Sequence, residues 1–431
     1  MAKKDNRHAE LVSASVNIEA PYELPEGWKW CRLGDVAKFI GGGTPDKSNP
    51  SYWNGKIPWA SVKDIKGDFL FSTEDFITEL GLQESSTSLC DENGLILVTR
   101  ISPGKSIISK IKTAINQDLK IVETEQFKPF LKYFFDFYEE EIKLLSSGTT
   151  VKGIKLDILD SLFFPLPPTL AEQQRIVNRI ESMFAKLDEA KEKAQTVVDS
   201  FETRKAAILH KAFTGELTAN WRKENDVSDD SWEEKTLQDI CIKEITDGTH
   251  KTPIYVDEKT GVPFISGKDV SNEIIDWSDL RYIPNELHNE LYERLAPQID
   301  DILLSKNGAR LGKAAIVETD LVFDIYVTLA LLRPNKDTIL PRYLWRIINS
   351  PVIQSQIQEH LTGIGMPNLH LRDIKVMVIK VPSLCEQQEI VRILDTVLEK
   401  ETRAKEAAEQ VLEQIALLKK SILAKAFRGE L

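Results

Sequence analysis

The chain has 431 residues, of which 42% are hydrophobic and 28% are charged, and this composition is typical of a soluble globular protein with about two or three domains. It has 55 basic and 67 acidic residues, and the net charge of −12 argues against a chain that binds nucleic acid tightly by itself. We find no apolar run long enough for a signal peptide or a membrane span, which predicts a cytoplasmic protein without a membrane partner.

The chain contains a large internal repeat. The run 172–217 aligns with 386–431 without a gap, and both copies begin with Glu-Gln-Gln and end with Lys-Ala-Phe-x-Gly-Glu-Leu. The regions before the two copies correspond more loosely. We therefore predict, in chain order, an N-terminal segment (1–23), a first globular module (24–168), a central coiled-coil helix (169–222), a second globular module (229–383) and a C-terminal coiled-coil helix (384–431).

Both globular modules are predicted to be mixed α/β domains. Short β-branched runs between Gly and Pro turns predict strands, and helical patterns follow them. The predicted strands are 95–99, 107–111, 302–305 and 314–318, and the predicted helices are 128–145 and 341–360. Glycine-rich loops at 146–153 and 362–368 predict a close approach to a phosphate backbone.

Alignment of the two modules pairs residues with similar chemistry. The run 96–100 aligns with 302–306, which matches Arg100 to Lys306. The run 57–64 aligns with 262–269 and matches Lys63 to Lys268. The aromatic residues Trp59 and Phe264, which are also matched, are predicted to belong to the hydrophobic cores.

Both helical segments carry apolar residues with a period of 3.5, which predicts a left-handed coiled coil. A helix of about 45 residues would be roughly 65–70 Å long at 1.5 Å per residue. Because the two copies share one phase, they can pair antiparallel about a pseudo-two-fold axis. The residues predicted to form the seam or to contact a partner are Ile176, Ile180, Met183, Leu187, Val197, Phe201, Ile208, Phe213, Ile390, Leu394, Val397, Val411, Ile415, Leu418, Ile422 and Phe427.

Two features of these helices leave alternatives open. The charged residues Arg204 and Glu401 occupy seam positions, where they either set the register or contact a partner. Additional apolar residues beside the seam favour packing of a helix from another subunit, against the alternative of a helical hairpin without partners. These residues are Phe184, Val198, Leu209 and Phe213.

The catalytic and cofactor motifs that we searched for are incomplete. Asn49-Pro50-Ser51-Tyr52 lacks the second proline of the base-holding loop in adenine methyltransferases, and Gly104-Lys105-Ser106 lacks the first glycine of a phosphate-binding loop. The four cysteines are too widely spaced for a zinc site. We therefore expect a chain that is not an enzyme and has no metal or cofactor of its own.

The whole arrangement resembles the specificity (S) subunit of Type I restriction–modification systems. The motifs that carry the resemblance are Leu24-Pro25-Glu26-Gly27-Trp28, Gly41-Gly42-Gly43-Thr44-Pro45, Ile57-Pro58-Trp59, the run 165–174 and the repeated Lys-Ala-Phe-x-Gly-Glu-Leu. The resemblance implies an α/β (α+β) fold with two target recognition domains and an antiparallel pair of long helices. Each domain would read one half of a bipartite, asymmetric site in double-stranded DNA.

The resemblance also implies partner proteins. Two methylation subunits would dock along the helices, and restriction subunits with translocase and nuclease activity would join them. Those partners would methylate adenine and cleave DNA, so S-adenosylmethionine, ATP and Mg are expected on them and not on this chain.

Direct readout of DNA requires side chains that match base edges and cations that hold the phosphates. The residues predicted to contact DNA are Thr44, Lys47, Lys63, Arg100, Lys105, Lys152, Lys155, Thr249, His250, Lys251, Lys268, Lys306, Asn307, Arg310, Lys313, Asn368 and His370. The negative net charge predicts that the isolated chain binds DNA weakly and that its partners supply the basic surface.

Two other functions remain open. A coiled-coil scaffold with two protein- or carbohydrate-binding modules fits the acidic composition, whereas the paired basic loops favour DNA. A methyltransferase fragment would need motifs that the chain lacks. The bases recognised and the spacing of the half-sites depend on loop geometry, DNA shape and helix packing, which the sequence does not determine.

Overall fold

The computed structural model describes residues 21–148, 151–228, 230–271, 273–361 and 367–431. They divide into two compact units. Unit 1 comprises the described residues up to Ala194 together with Gln410–Leu431, and unit 2 comprises Gln195–Glu409. The predicted N-terminal segment 1–23 lies almost wholly outside the described residues, as do Thr149, Thr150 and most of the glycine-rich loop 362–368.

Among its described residues, unit 1 contains eleven strands, five α-helices that begin in it and the last part of the C-terminal helix. The strands are β1 (Lys29–Arg32), β2 (Lys38–Gly41), β3 (Trp53–Ala60), β4 (Phe69–Leu70), β5 (Asp75–Ile77), β6 (Ser88–Cys90), β7 (Leu95–Val98), β8 (Ser106–Ser109), β9 (Thr113–Ile115), β10 (Leu119–Glu123) and β11 (Phe163–Leu166). The helices are α1 (Leu33–Val36), α2 (Glu79–Gln83), α3 (Lys128–Leu145), α4 (Leu156–Asp160) and α5 (Leu170–Asp199), the last of which continues into unit 2.

The core of unit 1 is organised by a five-stranded sheet in the order β2-β10-β7-β8-β4. Successive side chains of a strand point to opposite faces, so the central strand β7 supplies two cores. Leu95 and Leu97 join a cluster with the aromatic residues of α3, while Ile96 and Val98 join a second cluster on the other face. A second sheet, β5-β3-β9-β6, and the pair β1-β11 complete the unit.

Unit 2 contains the corresponding set of elements. Its strands are β12 (Glu233–Thr236), β13 (Thr246–Asp247), β14 (Gly261–Ile265), β15 (Val270–Ser271), β16 (Ile274–Ile275), β17 (Arg281–Pro284), β18 (Ile302–Ser305), β19 (Ala314–Ile316), β20 (Asp324–Ile325), β21 (Leu329–Leu332) and β22 (Val378–Val381). Its helices are α6 (Phe201–Phe213), α7 (Ala219–Glu224), α8 (Asn285–Arg294), α9 (Pro341–Ile348), α10 (Pro351–His360), α11 (Leu371–Val376) and α12 (Leu384–Phe427), and α12 continues into unit 1.

The two main sheets of unit 2 correspond to those of unit 1, but each has one strand fewer. The main sheet has the order β13-β21-β18-β19, and a second sheet has the order β17-β14-β20. In the central strand β18, Ile302 and Leu304 join the core that contacts the helices, while Leu303 joins the core on the opposite face. Strand β18 is therefore the counterpart of β7.

This correspondence corrects the alignment made from sequence. Val98 pairs with Leu119 at the start of β10, and Ser305 pairs with Leu329 at the start of β21. Thr99 is thus the counterpart of Lys306, and Arg100 is the counterpart of Asn307. The sequence alignment was wrong by one residue because both strands are uniformly apolar, and a shift by one changes the face of each side chain without changing the pattern.

The predicted strands and the helix at 128–145 are confirmed to within two residues at each end. The predicted helix at 341–360 is two helices, because Ser350 accepts a bond from the backbone N–H of Val352 and Pro351 begins a new helix. Trp59 and Phe264 are 4% and 2% exposed, which confirms that they are core residues.

The two repeated helices differ in continuity. The C-terminal copy is one helix of 44 residues, whereas the central copy is interrupted at Ser200 between α5 and α6. The backbone N–H of Ser200 still donates to Thr196 O at 3.1 Å, so the interruption is slight. Gly215 and Gly429, two residues after the ends of α6 and α12, have positive φ angles of 87° and 72°, the conformation of a C-terminal glycine cap.

The helices pair antiparallel within each unit. In unit 1, Arg175 donates to Leu431 O at 2.6 Å and Lys419 Nζ lies 2.5 Å from Asp188 Oδ1. Residue numbers rise along one helix as they fall along the other. In unit 2, Arg204 Nε donates to Glu401 Oε2 at 2.7 Å. The two charged seam residues therefore contact each other within the chain, which favours the register-setting interpretation.

Of the residues predicted for the seam or for a partner contact, those of the central copy are buried or half-buried, whereas two of the C-terminal copy are exposed. Val411 and Leu418 are 38% and 49% exposed. The seam in unit 1 uses the next residue in each case, because Lys419 contacts Phe184 and Asp188 of α5 and Leu412 is half-buried. The apolar character of Val411 and Leu418 favoured them as seam residues, and their contact with a partner stays a prediction.

The prediction that residues beside the seam receive a helix from another subunit is wrong for two of the four. Leu209 and Phe213 are 3% and 2% exposed within the core of unit 2, and the Phe213 ring packs against Tyr343. In unit 1 the Phe184 ring lies 5.9 Å from that of Tyr133. The globular part of unit 2 thus covers Leu209 and Phe213, whereas Phe184 in unit 1 stays half-buried. In the part of the chain that the structure describes, no helix has the length and hydropathy that a membrane span requires.

Candidate nucleic-acid interface

In unit 1, four loops meet beyond the ends of strands β7 and β10. The backbone N–H of Thr99 donates to Asp118 O at 2.9 Å, and the N–H of Ile154 donates to Thr99 O at 2.9 Å. The side chain of Thr44, after β2, donates to Gln117. These bonds join the loops 42–47, 99–105, 116–118 and 151–155 into one surface, which we call the loop face of unit 1.

Asp118 organises the polar side chains of this loop face. Its Oδ1 lies 3.3 Å from Arg100 Nη1, and its Oδ2 accepts from Asn116 Nδ2 at 3.1 Å and from Gln117 Nε2 at 3.3 Å. The Asp118 carboxylate is 10% exposed, whereas the Arg100 side chain is 50% exposed. The buried Asp118 carboxylate therefore holds one side of the exposed Arg100 guanidinium, and other N–H groups of the guanidinium point away from this contact.

A glycine brings the first loop against the strand end. A Cβ atom on Gly42 would collide with the carbonyl oxygens of Ile115 and Asn116, so only glycine allows this approach. In unit 2, Gly248 occupies the same position and a Cβ there would collide with Ile325 O. The same close packing therefore sets the position of Thr44 in one unit and of its counterpart His250 in the other.

The lysines predicted to contact DNA in unit 1 surround this surface. Lys47, Lys105, Lys152 and Lys155 are exposed on the four loops or directly beside them. Lys63 is exposed in the turn after β3, whose last residue, Ala60, accepts a bond from Asn116 N–H. The structure thus brings together most of the residues predicted for unit 1, and their contacts with DNA stay a prediction.

Unit 2 repeats the arrangement of loops with other side chains. The N–H of Lys306 donates to Thr328 O at 2.8 Å, and the N–H of Leu369 donates to Lys306 O at 2.8 Å. Asn307 pairs with Asn368, and Thr249 pairs with Tyr326, through backbone bridges. We call this surface the loop face of unit 2.

Two predicted DNA contacts of unit 2 are placed inside the unit instead. Lys306 and Thr249 are each 7% exposed. The Lys306 ammonium pairs with the buried carboxylate of Asp247, which also lies 3.2 Å from His250 Nε2. The basic residue that the sequence predicts at a strand end is therefore part of the interior, because an acidic partner from β13 neutralises it there.

The remaining predicted residues of unit 2 lie at the surface. Lys268 is partly neutralised, since its Nζ lies 3.4 Å from Asp269 Oδ1 and 3.7 Å from Asp279 Oδ2. The exposed or half-exposed residues are His250, Lys251, Asn307, Arg310, Lys313, Asn368 and His370. Asn307, Asn368 and His250 belong to the joined loops.

Sequence reasoning missed the residues that hold the loops in place. In unit 1 these are Asn116, Gln117 and Asp118, and in unit 2 they include Asp247 and Thr328. One signal was available, because the polar run 116–118 separates two short apolar strands and predicts a turn with side-chain hydrogen bonds. No comparable pattern indicates Asp247, whose partner is distant in sequence.

The chain matches a protein-family model twice. The model describes the Type I restriction modification DNA specificity domain, and it matches residues 25–197 and 229–414. Among similar proteins, the Type I restriction enzyme EcoBI specificity subunit from Escherichia coli is 27% identical over 96% of this chain and 88% of that protein. The MjaIX specificity subunit from Methanocaldococcus jannaschii is 25% identical over 84% of each chain.

Solved structures show the same fold. A chain from a study of complex assembly and conformational transition in the type I R-M system superposes with a TM-score of 0.72 at 20% identity, covering 95% of this chain and 100% of that one. The HsdS subunit from Thermoanaerobacter tengcongensis gives a TM-score of 0.62 at 22% identity, covering 96% and 100%. With two family matches that together span most of its length and follow its two units, the chain belongs to the family of Type I restriction–modification DNA specificity domains.

Proposed function

We propose that this chain is the DNA sequence-specificity subunit of a Type I restriction–modification complex, and that each unit reads one half of a bipartite, asymmetric DNA site. The observation that carries the proposal is the pair of loop faces. They share their main-chain bonds but carry different side chains, Arg100 and Thr44 in unit 1 and Asn307 and His250 in unit 2. A shared scaffold with different reading groups is what two unlike half-sites require.

The chemistry of these side chains fits base edges. Arginine donates two parallel hydrogen bonds to guanine, whereas asparagine donates to and accepts from adenine. Arg100 is oriented by Asp118 at 3.3 Å, and Asn307 is held by its bridge to Asn368. Lysines around the faces would bind phosphates and set the position of the units on the duplex.

Catalysis would belong to partner subunits. We infer that two methylation subunits dock along the helices, with S-adenosylmethionine on those subunits, and that restriction subunits carry ATP and Mg. Helix α12 offers a surface for docking in unit 1, where Leu417, Leu418 and Val411 are 66%, 49% and 38% exposed. Such partners would also compensate for the net charge of −12.

The test of this function is methylome sequencing of cells that carry the gene with its neighbouring methylation gene, against cells that lack this gene. The proposal expects a split adenine-methylated motif that disappears with the deletion. If the motif persists, another chain supplies specificity and the proposal is wrong. A matched strain with only the restriction gene deleted should keep the motif.

A salt titration of DNA binding tests the division of labour. The isolated chain is expected to bind DNA weakly at physiological salt, and its complex with methylation subunits is expected to bind tightly. Fluorescence anisotropy with a duplex that carries the motif would measure both affinities. Tight nonspecific binding by the isolated chain would contradict the inference that partners supply the basic surface.

A further inference from the structure

Ile101, on the loop face of unit 1, has an unusual backbone conformation. Its φ angle is +73°, in the left-handed region, and its side chain is 56% exposed. Among the described residues, the other non-glycine residues with positive φ are Asn, Asp or Glu, so Ile101 is the β-branched one of the set. A β-branched residue in this region is strained, because its Cβ crowds the following carbonyl oxygen.

The same position in unit 2 shows that the turn does not need this side chain. Thr99 and Lys306 are counterparts, and two residues later Ile101 corresponds to Gly308. Gly308 has a φ of +74°, within one degree of Ile101, and a Cβ atom there would meet nothing within 4 Å. Glycine therefore satisfies the loop without strain in one unit, while unit 1 keeps isoleucine in an equivalent conformation.

The exposed Ile101 side chain also contributes little to the core. It belongs to none of the hydrophobic clusters of unit 1. Its backbone N–H donates to Lys152 O at 2.9 Å, which places it between the Arg100 loop and the 151–155 loop. Strain that is retained at an exposed site, without a gain in packing, indicates a function for the side chain.

We propose that the Ile101 side chain reads a base in the half-site of unit 1, through apolar contact with the C5-methyl group of a thymine. This inference rests on the proposed function of the loop faces. In the major groove the thymine methyl is the apolar feature by which an A·T pair differs from the others, and aliphatic side chains recognise it. Arg100, the preceding residue, would bind an adjacent base or phosphate.

The test uses the complex of this chain with its methylation subunit and a duplex that carries the methylated motif. Each thymine is replaced in turn by deoxyuridine, which lacks only the methyl group. One replacement in one half-site is expected to lower kcat/KM for methyl transfer about fourfold, since a buried methylene-sized group contributes about that factor. Ile101→Asn should lower kcat/KM to a similar extent and should remove the sensitivity to that uracil.

The stability of the variant separates reading from folding. Asparagine tolerates the left-handed conformation, so Ile101→Asn should unfold at the same temperature as the parent chain or at a higher one. If Ile101 had a structural role, Ile101→Asn would lower the unfolding temperature. Ile101→Val, which remains apolar and β-branched, should retain the sensitivity to uracil. Asp226→Asn, at a positive φ of 55° outside the loop faces, is the matched control and should change neither property.

Three results would overturn the inference. The first is a lower unfolding temperature for Ile101→Asn with unchanged methylation. The second is a wild-type complex that is insensitive to uracil at every thymine position. The third is an Ile101→Asn complex that keeps the full sensitivity to uracil. A loss of methylation in Ile101→Asn without any uracil effect would indicate insertion between base steps, and would also refute the methyl contact. Failure of the proposed function is distinct, because the parent complex would then methylate no motif that depends on this chain.

Discussion

The two units have the same backbone arrangement at the end of the central strand but different buried side chains there. At the end of the central strand, unit 1 has Thr99, whose hydroxyl donates to Asp118 O at 3.2 Å, and unit 2 has Lys306 in an ion pair with buried Asp247. The backbone bonds around these residues are nevertheless the same. Because the main chain fixes the loops, the side chains at this position are free to differ between the units.

The repeated Glu-Gln-Gln motif shows the same contrast between one conserved role and one changed role. Gln173 accepts from Phe127 N–H at 2.9 Å, and Gln387 accepts from Leu340 N–H at 2.8 Å, each at the residue before a helix of its unit. The preceding glutamates differ. Glu172 is paired with Arg175 at the surface, whereas Glu386 is fully buried.

The largest expected effect comes from the buried glutamate. Glu386 accepts from Arg222 at 2.7 Å, Thr218 at 2.6 Å and Trp232 at 3.0 Å. Glu386→Ala should lower the free energy of unfolding of unit 2 by about 3–5 kcal/mol, because it breaks a buried ion pair and removes the carboxylate that accepts from Thr218 and Trp232. The matched variant Glu172→Ala, at an exposed pair, should cost less than about 1 kcal/mol. Urea unfolding of both variants tests the difference, and equal losses would contradict it.

The strand-end residues provide the next comparison. Lys306→Met should cost about 3 kcal/mol, since Asp247 remains buried and loses its ion pair with Lys306. Thr99→Val, at the equivalent position, loses one hydrogen bond and should cost about 1 kcal/mol. Thermal unfolding would measure both. If Lys306→Met proved as mild as Thr99→Val, the ion pair would not organise the loop face of unit 2.

Substitutions on the two loop faces should separate the half-sites. Arg100→Ala is expected to weaken recognition of one half-site by about 1–3 kcal/mol, and Asn307→Ala to weaken the other by a similar amount, as for single base-reading side chains. Methylation rates on duplexes with a single base change in either half-site would measure this. Effects of both variants on the same half-site would refute the assignment of one half-site to each unit.

The smallest effect is expected at the coiled-coil seam of unit 2. Arg204 and Glu401 form a half-buried pair at 2.7 Å. Arg204→Glu should cost about 1 kcal/mol, and the added change Glu401→Arg should recover most of it. Unfolding by urea tests the cycle. Failure of the double variant to recover stability would show that the pair does not set the register.

Periodicity explains which parts of the fold were predictable from sequence. The strands at 95–98 and 302–305 and the helix at 128–145 were predicted closely, since continuous apolar runs and helical spacing record local geometry. Val411 and Leu418 were favoured for the seam but are exposed, since hydrophobicity does not distinguish residues one position apart on a helix. That choice depends on where Asp188 and Phe184 of the other helix lie.

By itself the sequence determined the repeat, the α/β modules, the antiparallel helices and the family resemblance. The tertiary structure decided which predicted groups are available at the surface. Lys306 is buried beside Asp247, which is 59 residues away in the chain, and Ile101, which has a positive φ, is exposed. The physical reason is that a polar group can be buried only where folding places a partner beside it, and that partner can be distant in sequence. The apolar periodicity of a strand or helix, in contrast, depends on residues that are close in sequence.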